Sequence, residues 1–385
     1  MIDADIARVR AQLENMLGSP FVDGNKVEVL QNGDEIFPAM IGAANDATES
    51  IDFLTFVYWK GAIAKTFAET LAERASAGVR VRVLLDAFGA HQMEDDLLTL
   101  LQDSRAEVRW FRPLSTWRVW RSDKRTHRKI MIVDNARGFT GGVGIAEEWS
   151  GDARGPGEWR DTHFSLEGPA VRSLNAAFVD NWNEAGDWTW DIVHEPPTKF
   201  DGGYAVQVVR ASSTIGWSDT AALLRSMISV SRRTLTIVTP YFVPDAQLVA
   251  LICAPAQRNV VVNLMFCGQY TDARLSQLAG QRAYEALLNS GVTLWRYQKT
   301  MLHAKLIIAD GQFSCAGSAN LNHRSMGKDE ECCFVVISED IARQLQQRFG
   351  EDCESSEKIS LREWEGRGTV MRTKEWLANL LVEQL

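Results

Sequence analysis

Short apolar runs alternate along this chain with stretches whose apolar positions recur every three or four residues. Runs at Ile51–Tyr58, Val79–Leu85 and Val108–Phe111 are separated by helical patterns at Ala62–Ser76 and Met93–Leu101. The same order returns at Leu235–Phe242, Val260–Phe266 and Val292–Tyr297, with helical patterns at Ala246–Cys253 and Leu275–Asn289. Apolar runs of this length between helices predict buried strands in βαβ units and a largely parallel sheet. The chain reads as one α/β layered unit written twice. The Pro-, Gly- and charge-rich segment HEPPTKFDGG (194–203) marks the join, which predicts a first domain over 1–197 and a second over 198–353. Residues 354–385 predict a helical tail, with Trp376, Leu377, Leu380 and Leu381 on one stripe that packs against the body.

The repeat is explicit in HRKIMIVDNARGFTGGVG (127–144) and HAKLIIADGQFSCAGSAN (303–320). At a constant offset of 176 residues, His127 matches His303, Lys129 matches Lys305, Asp134 matches Asp310 and Gly141 matches Gly317. Side chains alternate along an extended strand, so the His and Lys of each copy point the same way. Two halves related by a pseudo-two-fold axis bring both pairs to one shared cleft.

Composition narrows the setting. With 385 residues there is room for about two domains. The net charge is −9, from 41 Lys and Arg against 50 Asp and Glu, and this argues against a protein coated in nucleic acid. No stretch reaches the roughly 18–20 apolar residues that span a bilayer. The opening MIDADIARVRAQLENML is too charged for a secretory signal, so the expected location is cytoplasmic. Six cysteines, all in the second half and without CxxC spacing, read as reduced, mostly buried thiols rather than a zinc site. Thirteen tryptophans hint at an interface between apolar and wet surroundings.

Two histidines and two lysines converging on one place suit phosphodiester chemistry. Two ammonium groups neutralise the phosphate and the charge that grows in its transition state. One imidazole attacks phosphorus while the other protonates the leaving oxygen, then serves as base for the incoming alcohol or water. The chemistry requires neither metal nor cofactor.

HxKx4D twice in one chain resembles the HKD signature of the phospholipase D superfamily. Among its members the chain is most similar to bacterial cardiolipin synthases, through WRDTH and EGPAV (159–163, 167–171), TPYFVPD (239–245) and GSANLNHRS (317–325). The resemblance implies two phospholipase D-like domains, each a mixed sheet flanked by helices, related by a pseudo-two-fold axis around one active-site cleft. It implies His127 as nucleophile, His303 as general acid and base, and Lys129, Lys305, Asn320 and Ser318 around the phosphate. Asp134 and Asp310 complete the motif as structural partners. By the same resemblance an acid some thirty residues downstream fixes each imidazole, which expects Asp161 on His127 and Glu331 on His303. Two departures stand out: Gly144 replaces the family's Asn, and Asp329 stands where many relatives have Asn.

The implied function is phosphatidyl transfer through a phosphohistidine, with phosphatidylglycerol as donor and an alcohol or second phospholipid as acceptor, giving cardiolipin. Hydrolysis by the same machinery, as a phospholipase D or a nuclease, is the alternative. Between the third strand and the first HKD strand lies an insertion absent from the second half. Together with its flanks, Arg109–Arg125, it holds Trp110, Phe111, Trp117 and Trp120 among Arg109, Arg112, Arg118, Arg121, Lys124 and Arg125. This loop suits an anionic phospholipid surface, with Trp117 and Trp120 as membrane contacts of a peripheral protein on the inner face of the cell membrane. No obligate protein partner is implied. His91, His163, His194 and His323 read as structural or surface histidines, with His163 and His323 near the cleft. GVRVRVLLDAFG (78–89) lacks a following GxGxxG or P-loop, so no nucleotide cofactor is implied.

Overall fold

The computed structural model describes residues 2–113, 124–189, 197–212 and 218–366. In the first half the strands are β1 (Val22–Gln31), β2 (Ser50–Thr55), β3 (Arg80–Asp86), β4 (Glu107–Phe111), β5 (Ile130–Val133), β6 (Arg137–Gly141) and β7 (Thr162–Glu167). In the second they are β8 (Tyr204–Ala211), β9 (Thr234–Val238), β10 (Phe242–Val243), β11 (Val261–Cys267), β12 (Thr293–Tyr297), β13 (Leu306–Ala309), β14 (Phe313–Gly317), β15 (Leu321–Asn322), β16 (Glu331–Ile337) and β17 (Ser356–Ile359). Fifteen of these form a single sheet in the order β17-β12-β11-β9-β13-β14-β16-β8-β1-β7-β6-β5-β2-β3-β4. Apart from β17, the order is the same read outward from the β8–β1 join in either direction, which is the pseudo-two-fold written in strands.

Only the outer triplets, β2-β3-β4 and β9-β11-β12, are parallel, because only these are linked by crossover helices. The centre is antiparallel, built from hairpins and returns, so the expected largely parallel sheet is corrected to a mixed one.

The inner strands Ser50–Thr55 and Leu306–Ala309 are buried along their whole length, since helices cover both faces, while Glu107–Phe111 and Thr293–Tyr297 toward the sheet ends are only partly buried. On one face Val171–Glu184 and Glu339–Glu354 pack on the central strands, with Phe178, Trp182, Leu345 and Phe349 in a core that runs across both halves. On the other face each half keeps its own core, one around Phe53, Phe67 and Leu101, the other around Leu264, Leu248 and Tyr284.

Two elements differ from the reading of the sequence. The expected long helix Leu275–Asn289 is broken into Arg274–Gly280, a 3-10 turn and Tyr284–Asn289. At the junction a side chain on Gly280 would meet the Phe242 carbonyl oxygen at 1.9 Å, so only glycine allows this close approach of the two backbones. The tail expected to be helical from 354 begins instead with β17, which pairs antiparallel with β12 and covers that edge of the sheet. The Trp376 stripe lies outside the described residues.

Among the described residues no helix is long and apolar enough to cross a membrane.

Candidate active site

Each HKD segment is an extended run leading into a hairpin. His127 and Lys129 precede β5, and His303 and Lys305 precede β13. At the far end of each strand the motif aspartate opens a turn with two residues at positive φ, Asp134 and Asn135 (49° and 50°) or Asp310 and Gly311 (56° and 69°). Asp134 accepts hydrogen bonds from the backbone N–H groups of Thr48, Glu49 and Ser50, at 2.8–2.9 Å. Asp310 accepts those of Arg232, Arg233 and Thr234. The two aspartates thus pin β5 to the start of β2 and β13 to the start of β9, a strand's length from the imidazoles.

The two HKD segments do not stay within their own halves. Thr126 forms a bridge with Glu330, and the His127 N–H donates to the Glu330 carbonyl at 2.8 Å. In mirror fashion Arg160 bridges Leu302, and the His303 N–H donates to the Arg160 carbonyl at 2.7 Å. Arg128, fully buried in the first half, donates to the Glu331 and Ala211 carbonyls of the second. Arg160 answers with a buried ion pair to Asp352 at 3.1 Å.

These strand contacts decide which acid meets which histidine. His127 Nδ1 lies 3.1 and 3.2 Å from the two oxygens of Glu331, and His303 Nδ1 lies 2.7 Å from Asp161 Oδ2. The expected pairing of each imidazole with the acid of its own half is therefore corrected: the pairs are crossed. Spacing along the chain finds the acids but not their partners, because the start of each acid-bearing strand abuts the opposite HKD segment. With Nδ1–H donating to a carboxylate, Nε2 of each ring carries the lone pair, which on His303 lies 3.2 Å from Lys305 Nζ.

Each acid is itself held. Glu331 accepts from the Ser318 hydroxyl, which in turn accepts from the Cys332 N–H at 3.0 Å. Ser318 was expected around the phosphate; its hydroxyl is committed to the carboxylate behind His127. Asp161 accepts from the Trp149 indole N–H at 2.9 Å and from the Thr162 N–H at 2.8 Å. Gly142 stands where the second half has Ser318, and a Cβ there would meet Asp161 Oδ1 at 2.2 Å, so only glycine leaves the carboxylate its place. Burial opposes the ionisation of both acids. His303 and Lys305 nevertheless hold Asp161 below the ordinary carboxylate pKa, and His127, Lys129 and Ser318 do the same for Glu331.

The lysines are almost completely enclosed. Lys129 donates to the His127 carbonyl at 2.8 Å, and Lys305 donates to the His303 carbonyl while its Nζ sits 3.1 and 3.2 Å from the two His303 ring nitrogens. Burial, reinforced by Lys305, brings the Lys129 pKa down to about 7, and burial brings that of Lys305 down to about 8. Burial and Lys305 push His303 down to about 3, which favours the neutral imidazole.

The halves differ around the rings. Trp149, Trp159 and Tyr241 stand 5.2, 5.3 and 6.2 Å from His303, while Phe56 stands 5.2 Å from His127. Nothing in the local sequence marks these aromatic residues as part of a site, although Trp159 and Tyr241 lie in WRDTH and TPYFVPD. Asn320 is buried with its Oδ1 free of any protein partner among the described residues. Its counterpart Gly144 has no room for a side chain, since a Cβ would meet that of Val57 at 2.6 Å. The missing amide is thus matched by a valine filling its space. Asp329 pairs with Arg324 at 2.8 Å. His163 is buried with no protein partner on either ring nitrogen among the described residues, and burial lowers its pKa to about 4. Trp117 and Trp120 lie outside the described residues.

Known proteins share both the sequence and the shape. The family described as "Cardiolipin synthase, PLD-like domain" matches residues 40–148 and 224–353, each stretch containing one HKD strand. The probable cardiolipin synthase YwiE of Bacillus subtilis is 31% identical over 359 residues, covering 92% of this chain and 71% of that protein. Cardiolipin synthase 1 of Bacillus cereus is 28% identical over 377 residues, covering 94% and 73%. In fold, the phosphatidylserine synthase of Haemophilus influenzae superposes over 98% of this chain and 100% of its own, with a TM-score of 0.75 at 13% identity. The polyphosphate kinase of Porphyromonas gingivalis does so over 88% and 49%, with a TM-score of 0.58 at 11% identity. Matched over more than half its length around both HKD strands, and repeating one unit across a pseudo-two-fold sheet, the chain belongs to the phospholipase D-like family of cardiolipin synthases.

Proposed function

We propose that this protein is a phosphatidyltransferase that makes cardiolipin from two molecules of phosphatidylglycerol. The observation that carries the reading is the crossed pair of imidazoles, each held by a carboxylate at Nδ1 so that Nε2 carries the lone pair, beside two lysines. In the first step His127 Nε2 attacks phosphorus, the bond to the headgroup oxygen breaks, and His303 delivers a proton to that oxygen, releasing glycerol. In the second, His303 takes the proton from a hydroxyl of a second phosphatidylglycerol, whose oxygen attacks phosphorus as the P–N bond breaks. Lys129, Lys305 and the Asn320 amide hold the non-bridging oxygens, aimed where charge develops.

A phosphodiester anion between the lysines also resolves the low pKa of His303. It offsets the Lys305 charge that disfavours the imidazolium, so the ring becomes able to carry the proton once substrate is bound. Transfer rather than hydrolysis is supported by enclosure: Lys129, His303 and Lys305 are each no more than 5% exposed. A site this closed limits the water that competes with the acceptor alcohol. The protein works at the inner face of the cell membrane as a peripheral enzyme.

Purified protein incubated with phosphatidylglycerol vesicles tests this. Cardiolipin and glycerol in equal amounts are expected. Phosphatidic acid as the main product would replace transfer by hydrolysis, and cleavage of nucleic acid without action on lipid would overturn the lipid reading altogether.

A further inference from the structure

Among the described residues, the large hydrophobic side chains that stand most exposed are Met16, Phe88, Leu100, Trp188, Val261 and Leu275. Two of them, Phe88 at 55% and Leu275 at 53%, come after corresponding strands of the two halves. Phe88 follows β3, and Leu275 follows β11, the counterpart of β3 in the sheet order.

Both places lie at the cleft edge, and contacts on the page trace this. Phe56, whose ring is 5.2 Å from His127, packs so tightly on Gly89 that a Cβ there would meet the Phe56 ring at 2.8 Å. The Gly89 carbonyl also accepts from the Trp59 indole at 2.8 Å, which fixes the loop that carries Phe88. On the other side Tyr241, 6.2 Å from His303, donates its hydroxyl to Asp272 at 2.7 Å, three residues before Leu275. Gln277 donates to the Cys267 and Gly268 carbonyls and ties the helix Arg274–Gly280, which carries Leu275, to the end of β11. The cleft therefore has one exposed apolar side chain on each bank, Phe88 in an anchored turn where its ring also meets that of His91, and Leu275 in the first turn of the helix Arg274–Gly280.

The exposed cations at this edge say what covers them. Lys60 follows Trp59, Arg274 precedes Leu275, and Lys299 leads into the His303 segment, all exposed in a chain whose net charge is −9. Apolar side chains interleaved with basic ones fit the boundary between acyl chains and anionic headgroups.

We infer that Phe88 and Leu275 are twin membrane anchors that insert on either side of the cleft, seating its mouth on an anionic bilayer so that phospholipid enters from the membrane plane. The inference rests on the lipid reading of the active site. It makes membrane contact a property of both halves, and not only of the insertion found in the first.

The full chain offers a direct test, because five of its six cysteines are buried and the sixth is half-buried. An environment-sensitive fluorophore is placed on Phe88→Cys, on Leu275→Cys, and on Val261→Cys, whose exposed site begins β11, a strand's length from the end that leads to Leu275. On vesicles of phosphatidylcholine and phosphatidylglycerol, the first two labels should shift to the blue and the Val261 label should not. The double variant Phe88→Ser, Leu275→Ser should bind these vesicles at least about tenfold more weakly. It should retain its rate on a water-soluble phosphodiester. Unshifted labels at 88 and 275, a shifted label at 261, or undiminished binding by the double variant overturns the inference. Failure of the unsubstituted enzyme to turn over either substrate would instead overturn the proposed function.

Discussion

The crossed pairing of acids and histidines makes a prediction that same-half pairing inverts. Consider Glu331→Gln and Asp161→Asn, which keep volume and remove charge. Each removes one charge-assisted contact to an imidazole, at 3.1 Å for His127 and 2.7 Å for His303. Hydrogen bonds to charged groups contribute about 1.5–3 kcal/mol, which converts to roughly 10- to 150-fold in rate. The loss falls on different steps. With a nitrophenyl phosphodiester, whose leaving group needs no proton, the first step depends on the nucleophile alone. Glu331→Gln should then slow formation of the phosphohistidine and erase the burst of nitrophenol. Asp161→Asn should leave the burst intact and slow the second step, so that labelled enzyme accumulates. Acid-free quenching and peptide mapping should place that label on His127. The logic survives an exchange of roles: whichever histidine is labelled, the acid whose loss prevents labelling must come from the other half. Loss of labelling on removing the acid of the same half would refute the crossed arrangement.

Three further outcomes are expected. Lys129→Ala or Lys305→Ala should lower turnover by at least about 10²-fold, the scale of losing a preorganised donor, while EDTA leaves it unchanged; chelator inhibition rescued by a divalent ion would contradict the lysine-based account. Because a lysine is charged below its pKa, and burial brings Lys129 to about 7 and Lys305 to about 8, kcat/KM should be highest below about pH 7 and fall as pH rises through 8, with the fall in kcat displaced upward because bound phosphate favours the charged lysines. Gly144→Asn should destabilise the fold by about 1–3 kcal/mol in denaturant melts, since Val57 fills the space at 2.6 Å, and Val57→Ala should recover part of it; an undiminished midpoint would show the space to be free.

Much of this protein is legible in one dimension. Apolar runs buried along nearly all their length announce β2, β3 and β9, because strands covered on both faces tolerate no polar alternation. Spacing alone related His127 to His303 and Lys129 to Lys305, since a repeated unit carries its chemistry at repeated positions. Other decisions belong to the tertiary structure. No local pattern says that β1 and β8 join two sheets into one, because an antiparallel strand pair records nothing of its partner in its own sequence. The aromatic wall of Trp149, Trp159 and Tyr241 reads locally as ordinary core, and becomes part of the site only when β7 and β9 bring it to His303. The crossing of Asp161 to His303 and Glu331 to His127 follows from backbone bridges at Arg160–Leu302 and Thr126–Glu330, residues 142 and 204 positions apart counting from acid to imidazole. Side-chain chemistry is a property of the residue, and so the sequence by itself names groups able to react; which group steadies which depends on the distance between strands far apart in the chain, and only the folded sheet decides that.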